Sequence, residues 1–255
     1  MPPAPVHISI GTDPFQPLEP RIGDTKRTLE GLLAHRRRFS TVTIVTKNPA
    51  LAARSDYAQI LAVLGAIPSA HPFAERWQAL DLPAVQVEVS LAFWRAEAAA
   101  FWDPGAPTVA SRIAGIRASR AAGIPVVLRI DPLFPSSPLP VEPSRSLADF
   151  GLVEAQTPQD LGNLVSFAKE VGARHVGYPP AKIVRPRWQP LPAAKNNLLQ
   201  VYRALAAPEK PVCRGGSWRL PNPVADRLVT GPSLELCRAA GIPAKFCMQN
   251  LLDTP

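Results

Sequence analysis

Val6-His7-Ile8-Ser9-Ile10-Gly11-Thr12-Asp13-Pro14-Phe15-Gln16-Pro17 is the stretch on which the fold reading turns. His7 to Ile10 alternate in face and run into Gly11-Thr12-Asp13-Pro14, the pattern of a β-strand emptying onto a polar loop. Four further strand-like runs end in the same way: Val42 to Val45 before Thr46-Lys47, Ala84 to Ser90, Val126 to Ile130 before Asp131, and Arg174 to Gly177 before Tyr178. Helical patterns separate them. Strand-helix alternation of this kind predicts parallel βα units, and a polar residue released at each strand end predicts a site at one mouth of an α/β barrel.

The third run is the most regular. Val85, Val87 and Val89 alternate with Gln86, Glu88 and Ser90, which places the three polar residues on one face. Inside a barrel, Glu88 requires a partner, and Arg129 on the next strand is the expected one. Among the helices, Pro158 to Val171 carries the clearest start signal, with Thr157 as N-cap, Pro158 at the first helical position and Asp160 at the capping-box site. A helix is also expected from Ile22 to Arg38, ending on Arg36-Arg37-Arg38 as a solvated cationic terminus. Another spans Thr108 to Ala122, with Arg112, Arg117 and Arg120 in solvent. From Ala181 onward the pattern changes: Pro186, Pro190 and Pro192 break the chain, helices are expected from about Ala193 to Leu205 and near Ser233 to Ala240, and Pro208 to Pro223 between them is expected as a loop. The expected domains are residues 1–180 as the barrel and 181–255 as an α-rich extension packed on it.

A chain of 255 residues with 46% hydrophobic and 19% charged residues buries a sizeable core. No apolar run reaches the ~18 residues of a membrane span, so a cytoplasmic protein with no membrane partner is expected. The net charge of +8 and pI near 9.9 admit an anionic partner such as nucleic acid. Two basic groups, Arg36-Arg37-Arg38 and Lys182, Arg185, Arg187, carry part of it. Arg214-Gly215-Gly216-Ser217 reads as a Gly-rich turn, or as backbone amides and a cation facing a phosphate. Cys213, Cys237 and Cys247 are separated by 23 and 9 residues, which matches no zinc ribbon or local cluster run. Free, reduced thiols are expected. No nucleophile elbow and no metal-binding histidine pair is present.

Taken together, Ile10 to Pro17 with Glu19, Val45-Thr46-Lys47, Val87-Glu88-Val89-Ser90, and Ala122-Gly123-Ile124-Pro125-Val126 leading to Arg129-Ile130-Asp131-Pro132-Leu133-Phe134-Pro135 resemble radical S-adenosylmethionine proteins of the spore photoproduct lyase-like group. The resemblance covers about residues 6 to 180. It implies a partial (β/α)6 TIM-like barrel. It also implies a 4Fe-4S cluster held by a Cys-x3-Cys-x2-Cys loop after the first strand, S-adenosylmethionine as cofactor, and radical chemistry with DNA as a candidate substrate.

This sequence contains no Cys-x3-Cys-x2-Cys. The strands counted above therefore correspond to the second to sixth of the barrel, with the first strand and cluster loop missing. As written the chain is expected to bind neither cluster nor cofactor productively. By the resemblance, Lys47 and Ser90 contact the cofactor's methionyl and ribose groups, Thr12 and Asp13 line the same mouth, and Glu88 and Arg129 orient the cofactor or pair structurally. Read on their own, Thr12 and Asp13 also fit a strand-ending Asx turn. Asp131 and Tyr178 are substrate-side candidates, and Cys213, Cys237 and Cys247 are candidates for a second cluster. The alternative reading is a non-catalytic barrel remnant that holds nucleic acid or another anion on its basic surface.

Overall fold

The structure is a computed structural model that describes residues 3–8, 11–66, 71–185 and 190–245. Cys247, Arg187 and the Ser9-Ile10 end of the first predicted strand lie outside the described residues. In chain order the elements are β1 (Ala4–Ile8), α1 (Glu19–Ile22), α2 (Asp24–Ala34), β2 (Phe39–Thr46), α3 (Pro49–Ala52), α4 (Ser55–Gly65), α5 (Ala74–Ala79) and β3 (Val85–Ser90). They continue with α6 (Ala96–Trp102), α7 (Val109–Ala121), β4 (Val126–Arg129), α8 (Pro158–Glu170), β5 (Val176–Gly177), β6 (Ile183–Val184) and α9 (Ala193–Ala206). The last are β7 (Val212–Arg214), β8 (Ser217–Arg219), α10 (Asn222–Ala225), α11 (Gly231–Ala240) and β9 (Ala244–Lys245). The chain divides into two compact units, each made of several segments.

The first unit comprises Met1–Leu91, Ala106–Arg129 and Glu170–Arg174. Its strands β1 to β4 lie side by side in chain order and all run parallel. Val42, Ile44, Val85, Val87 and Val89 are at most 1% exposed on one face, and Thr43 and Gln86 are buried on the other. Burial on both faces is what a parallel sheet under crossover helices requires.

The predicted helix from Ile22 to Arg38 is broken. Gly23 adopts φ 68°, closing α1 and opening α2, and a 3-10 turn at Arg36–Arg38 precedes β2. Only glycine takes that left-handed conformation at low cost. Glu19 then caps α2: its carboxylate accepts from the backbone N–H groups of Thr25 and Lys26, each at 3.1 Å, and from the Tyr57 hydroxyl at 2.7 Å. Burial alone would raise the Glu19 pKa, but these donors hold it below the usual carboxylate range. Arg112, expected in solvent, is instead 2% exposed. It donates through Nε to the Pro107 carbonyl at 2.8 Å and through Nη1 to the Ser90 carbonyl at 3.0 Å. The helical period placed it outward, but these carbonyls draw it in.

The second unit comprises Ala92–Gly105, Ile130–Lys169 and His175–Pro255. In it β5 pairs with β9 in parallel, and β6, β8 and β7 form a small antiparallel sheet in that order. The region Pro208 to Pro223, expected as loop alone, thus contains the hairpin β7–β8, turned by Gly215 and Gly216 at φ 57° and 72°. Strands of three residues are too short to leave a period-two signature.

The capping box that opens α8 forms as predicted. The Asp160 N–H donates to Thr157 Oγ1 at 3.1 Å, and the Thr157 N–H donates to Asp160 Oδ2 at 2.9 Å. Arg95 adds an ion pair to the same carboxylate at 2.9 Å. Asp160 is 4% exposed. Burial alone would push its pKa up, and the Thr157 and Arg95 donors outweigh that and hold it below the usual range. A depressed carboxylate contributes stability above its unfolded pKa of about 4 and loses it as pH falls through the folded value. Asp160→Asn is expected to lower stability by about 1–2 kcal/mol at pH 7. The gap between mutant and wild type should close as the medium is acidified below pH ~4, as urea melts at stepped pH will show.

Candidate functional site at the strand ends of the first unit

The register of the first unit aligns the predicted residues. Val45 lies opposite Glu88, Glu88 opposite Val127, and Ser90 opposite Arg129. Partners in register share a face, and residues two apart along a strand share it too. Glu88, Ser90 and Arg129 therefore stand on one face, and Lys47 follows two residues after Val45, one past the end of β2. Lys47, Ser90 and Arg129 occupy the C-terminal ends of three adjacent parallel strands, the place where α/β sheets bind ligands.

Beneath them runs a polar ladder. Arg129 Nη1 meets Glu88 Oε2 at 2.7 Å, each side chain being 14% exposed. Gln86 Nε2 donates to Glu88 Oε1 at 3.2 Å and to Thr43 Oγ1 at 3.4 Å. The ion pair expected between neighbouring strands is present. A buried pair of this kind is weak evidence for stability by itself, but it fixes both partners in direction.

Asp13 is half-buried, and its carboxylate ties two loops together. Oδ1 accepts from the Phe15 N–H at 2.9 Å, which is an Asx turn, and from Thr46 Oγ1 at 2.7 Å. Oδ2 accepts from the Lys47 N–H at 2.6 Å. Asn48 adds a bond from Nδ2 to the Phe15 carbonyl at 2.9 Å, and Thr25 Oγ1 donates to the Pro14 carbonyl at 2.5 Å. The loop after β1 thereby holds the backbone at Lys47. Thr12 is exposed on that loop. Thr46, Asn48 and Arg112 anchor the loops and the end of β3, roles that were not read from the sequence, where Arg112 was expected in solvent. Their local signal is a Thr-Lys-Asn-Pro strand end and an arginine on a helix, neither specific.

Asp131 and Tyr178 belong to the second unit. Asp131 is half-buried, and Tyr178 is 1% exposed with its hydroxyl pKa raised by burial. Cys213 is exposed on β7, and Cys237 is buried in α11 with its thiol pushed up to about 11. Among the described residues no group of three or more His, Cys, Asp and Glu is placed to hold a metal ion. No helix among them is long and apolar enough to cross a membrane.

No protein-family model and no curated protein matches the sequence. Solved structures do match. A doubly substituted spore photoproduct lyase with bound S-adenosylmethionine and dinucleoside spore photoproduct aligns at TM-score 0.54 and 11% identity, over 95% of this chain and 61% of that one. A singly substituted spore photoproduct lyase aligns at TM-score 0.56 and 11% identity, over 96% and 62%. The chain has the spore photoproduct lyase fold. The partial barrel of parallel strands with a helical extension, read from the sequence, is therefore its architecture. The chain spans about three fifths of the length of those lyase structures.

The cysteines of this chain do not fit the cluster loop that the sequence resemblance implies. The sequence contains no Cys-x3-Cys-x2-Cys, and of the described cysteines Cys213 is exposed on β7 while Cys237 is buried in α11. The strand-end row does fit the polar groups of S-adenosylmethionine: Lys47 and Arg129 suit a carboxylate, and Ser90 and Glu88 suit ribose hydroxyls or an amine.

Proposed function

We propose that this chain is the cofactor-holding part of a radical S-adenosylmethionine protein, with the cluster cysteines supplied by residues outside this sequence. The observation that carries the reading is the row Lys47, Ser90 and Arg129 over Glu88, at the C-terminal ends of parallel strands in a chain with the spore photoproduct lyase fold. In this reading Lys47 takes the methionyl carboxylate, Ser90 the ribose, and Glu88 holds Arg129 in direction while Asp13 holds Lys47. A 4Fe-4S cluster, when bound, would supply the electron for reductive cleavage of S-adenosylmethionine. The chain's own residues bind and orient the cofactor and keep water from it. A DNA photoproduct is the proposed substrate class, by analogy with those lyases alone.

The test is to read the DNA upstream, extend the protein to include any in-frame Cys-x3-Cys-x2-Cys, and reconstitute it anaerobically. The expected result is about four irons per extended chain and release of 5′-deoxyadenosine, which Lys47→Ala and Ser90→Ala suppress. The present 255 residues alone should release none. An in-frame stop with no cysteine triplet upstream sinks the reading.

A second reading rests on the small sheet of the second unit. Lys182, Arg185, Arg214 and Arg219 are all exposed on or beside β6, β7 and β8. In this reading the chain holds nucleic acid or another polyanion there without catalysis. DNA binding by the purified chain should then weaken steeply as salt rises.

A further inference from the structure

The ladder between β2 and β3 stops one donor short of Ser90. It starts with the Val42 N–H on the Ala84 carbonyl at 2.9 Å and advances two residues at a time, a step that would bring the Asn48 N–H to the Ser90 carbonyl. β2 has ended by then, at Thr46. The Asn48 N–H donates to Thr46 Oγ1 at 2.8 Å instead, the Lys47 N–H is taken by Asp13 Oδ2 at 2.6 Å, and Pro49 has no N–H to give. A backbone carbonyl buried at a strand end in this way needs a donor from elsewhere.

Arg112 supplies it. From α7 its Nη1 reaches the Ser90 carbonyl at 3.0 Å, while its Nε is held by the Pro107 carbonyl at 2.8 Å. On the opposite edge of the same peptide the Leu91 N–H donates to the Arg129 carbonyl at 2.9 Å. The backbone of Ser90 is thus fixed from both sides, whereas its hydroxyl makes no hydrogen bond among the described residues. The same face of α7 also holds the strand beyond. Ser119 Oγ donates to the Pro49 carbonyl at 3.1 Å, and α3 approaches closely at Gly115. Residues 112, 115 and 119 lie on one stripe of the helix, so one rigid element grips both the Ser90 peptide and the segment that follows Lys47.

We propose that Arg112 is a positioning residue: by holding the Ser90 peptide it fixes where the Ser90 hydroxyl stands relative to Lys47, and so sets the span across which one ligand meets both groups. This rests on the reading above, in which Lys47 takes the methionyl carboxylate and Ser90 the ribose of S-adenosylmethionine. Those two ends are joined by a chain of limited length, and a hydroxyl displaced by about 1 Å loses its bond to the ribose. Arginine suits the task because one planar group meets two carbonyls.

The test measures S-adenosylmethionine affinity calorimetrically in the extended, cluster-bearing protein, for wild type, Arg112→Met, Ser90→Ala and the double variant. Arg112→Met removes both carbonyl bonds and leaves no buried charge. It is expected to raise Kd about tenfold where Ser90 is present, and by less than about threefold in the Ser90→Ala background, because Arg112 acts through Ser90. Arg112→Lys keeps the charge without the planar fork and should show the same pattern, smaller, which covers a methionine variant that folds poorly. In the 255-residue chain without cofactor, hydrogen exchange at the Leu91 amide should quicken in Arg112→Met and be partly restored in Arg112→Lys. A merely structural arginine would lower the melting temperature and leave the affinity of the folded protein unchanged, or weaken it equally in both backgrounds. Either result overturns the proposal and leaves the S-adenosylmethionine reading standing. A wild type that binds no S-adenosylmethionine overturns that reading, and the role of Arg112 with it.

Discussion

Gly115→Ala is expected to destabilise the chain by about 3 kcal/mol, although alanine in a helix interior is normally worth about 0.5–1 kcal/mol more than glycine. Gly115 sits inside α7, where a Cβ would lie 2.6 Å from the Ala50 backbone nitrogen, 2.8 Å from Pro49 Cγ and 3.1 Å from Ala50 Cα. These are backbone and ring atoms of α3, so nothing flexible can swing aside. One helical turn on, Ser119 Oγ donates to the Pro49 carbonyl at 3.1 Å and holds the two helices at that distance. The methyl group must push α3 outward. Because α3 begins directly after Lys47-Asn48, the shift should also loosen the strand-end site. Gly162 is the internal control: it is within α8 and nothing approaches its Cβ position within 4 Å, so Gly162→Ala should stabilise slightly. Urea titrations of the two variants read the contrast as midpoints moving in opposite directions at constant slope. A Gly115→Ala protein as stable as wild type would refute the close packing.

Glu88→Leu is expected to cost about 2 kcal/mol, somewhat below the range for fully buried ion pairs because both partners retain some solvent. It removes the carboxylate from the Arg129 guanidinium and an acceptor from the Gln86 amide. The double variant Glu88→Leu, Arg129→Leu should recover part of the loss, since it no longer buries a cation stripped of its carboxylate. Additive losses in the two single variants would show that the pair carries no coupling. If the strand-end row holds S-adenosylmethionine, Glu88→Leu in an extended, cluster-bearing protein should also weaken cofactor affinity by more than Gln86→Leu does, because Gln86 reaches Arg129 through Glu88.

Much of the architecture was legible because its signals are local. The alternation in Val85 to Ser90 put Glu88 and Ser90 on one face, and parallel pairing then needed only Val126 to Arg129 as a neighbour to bring Arg129 beside them. The Thr157–Asp160 capping box involves residues three apart and could be read directly. The helix at Ile22 to Arg38 was misread because apolar spacing runs through Gly23 without showing that its backbone turns left-handed. The hairpin at 212–219 escaped because two strands of three residues leave no periodic trace.

By itself the sequence determined the succession of parallel strands and helices and the polar residue waiting at each strand end, since these follow from residue type and short spacing. The tertiary structure alone decided which charges serve which purpose. Asp13 is bonded to Thr46 and Lys47, 33 and 34 residues away, so its carboxylate fastens one loop to the next. Arg112 and Arg36 are interior because carbonyls 22 and 28 residues distant accept from them. A charged side chain's environment is made by residues that only folding brings near. For that reason the same three arginines that read as a solvated helix end contain, at Arg36, a buried cation.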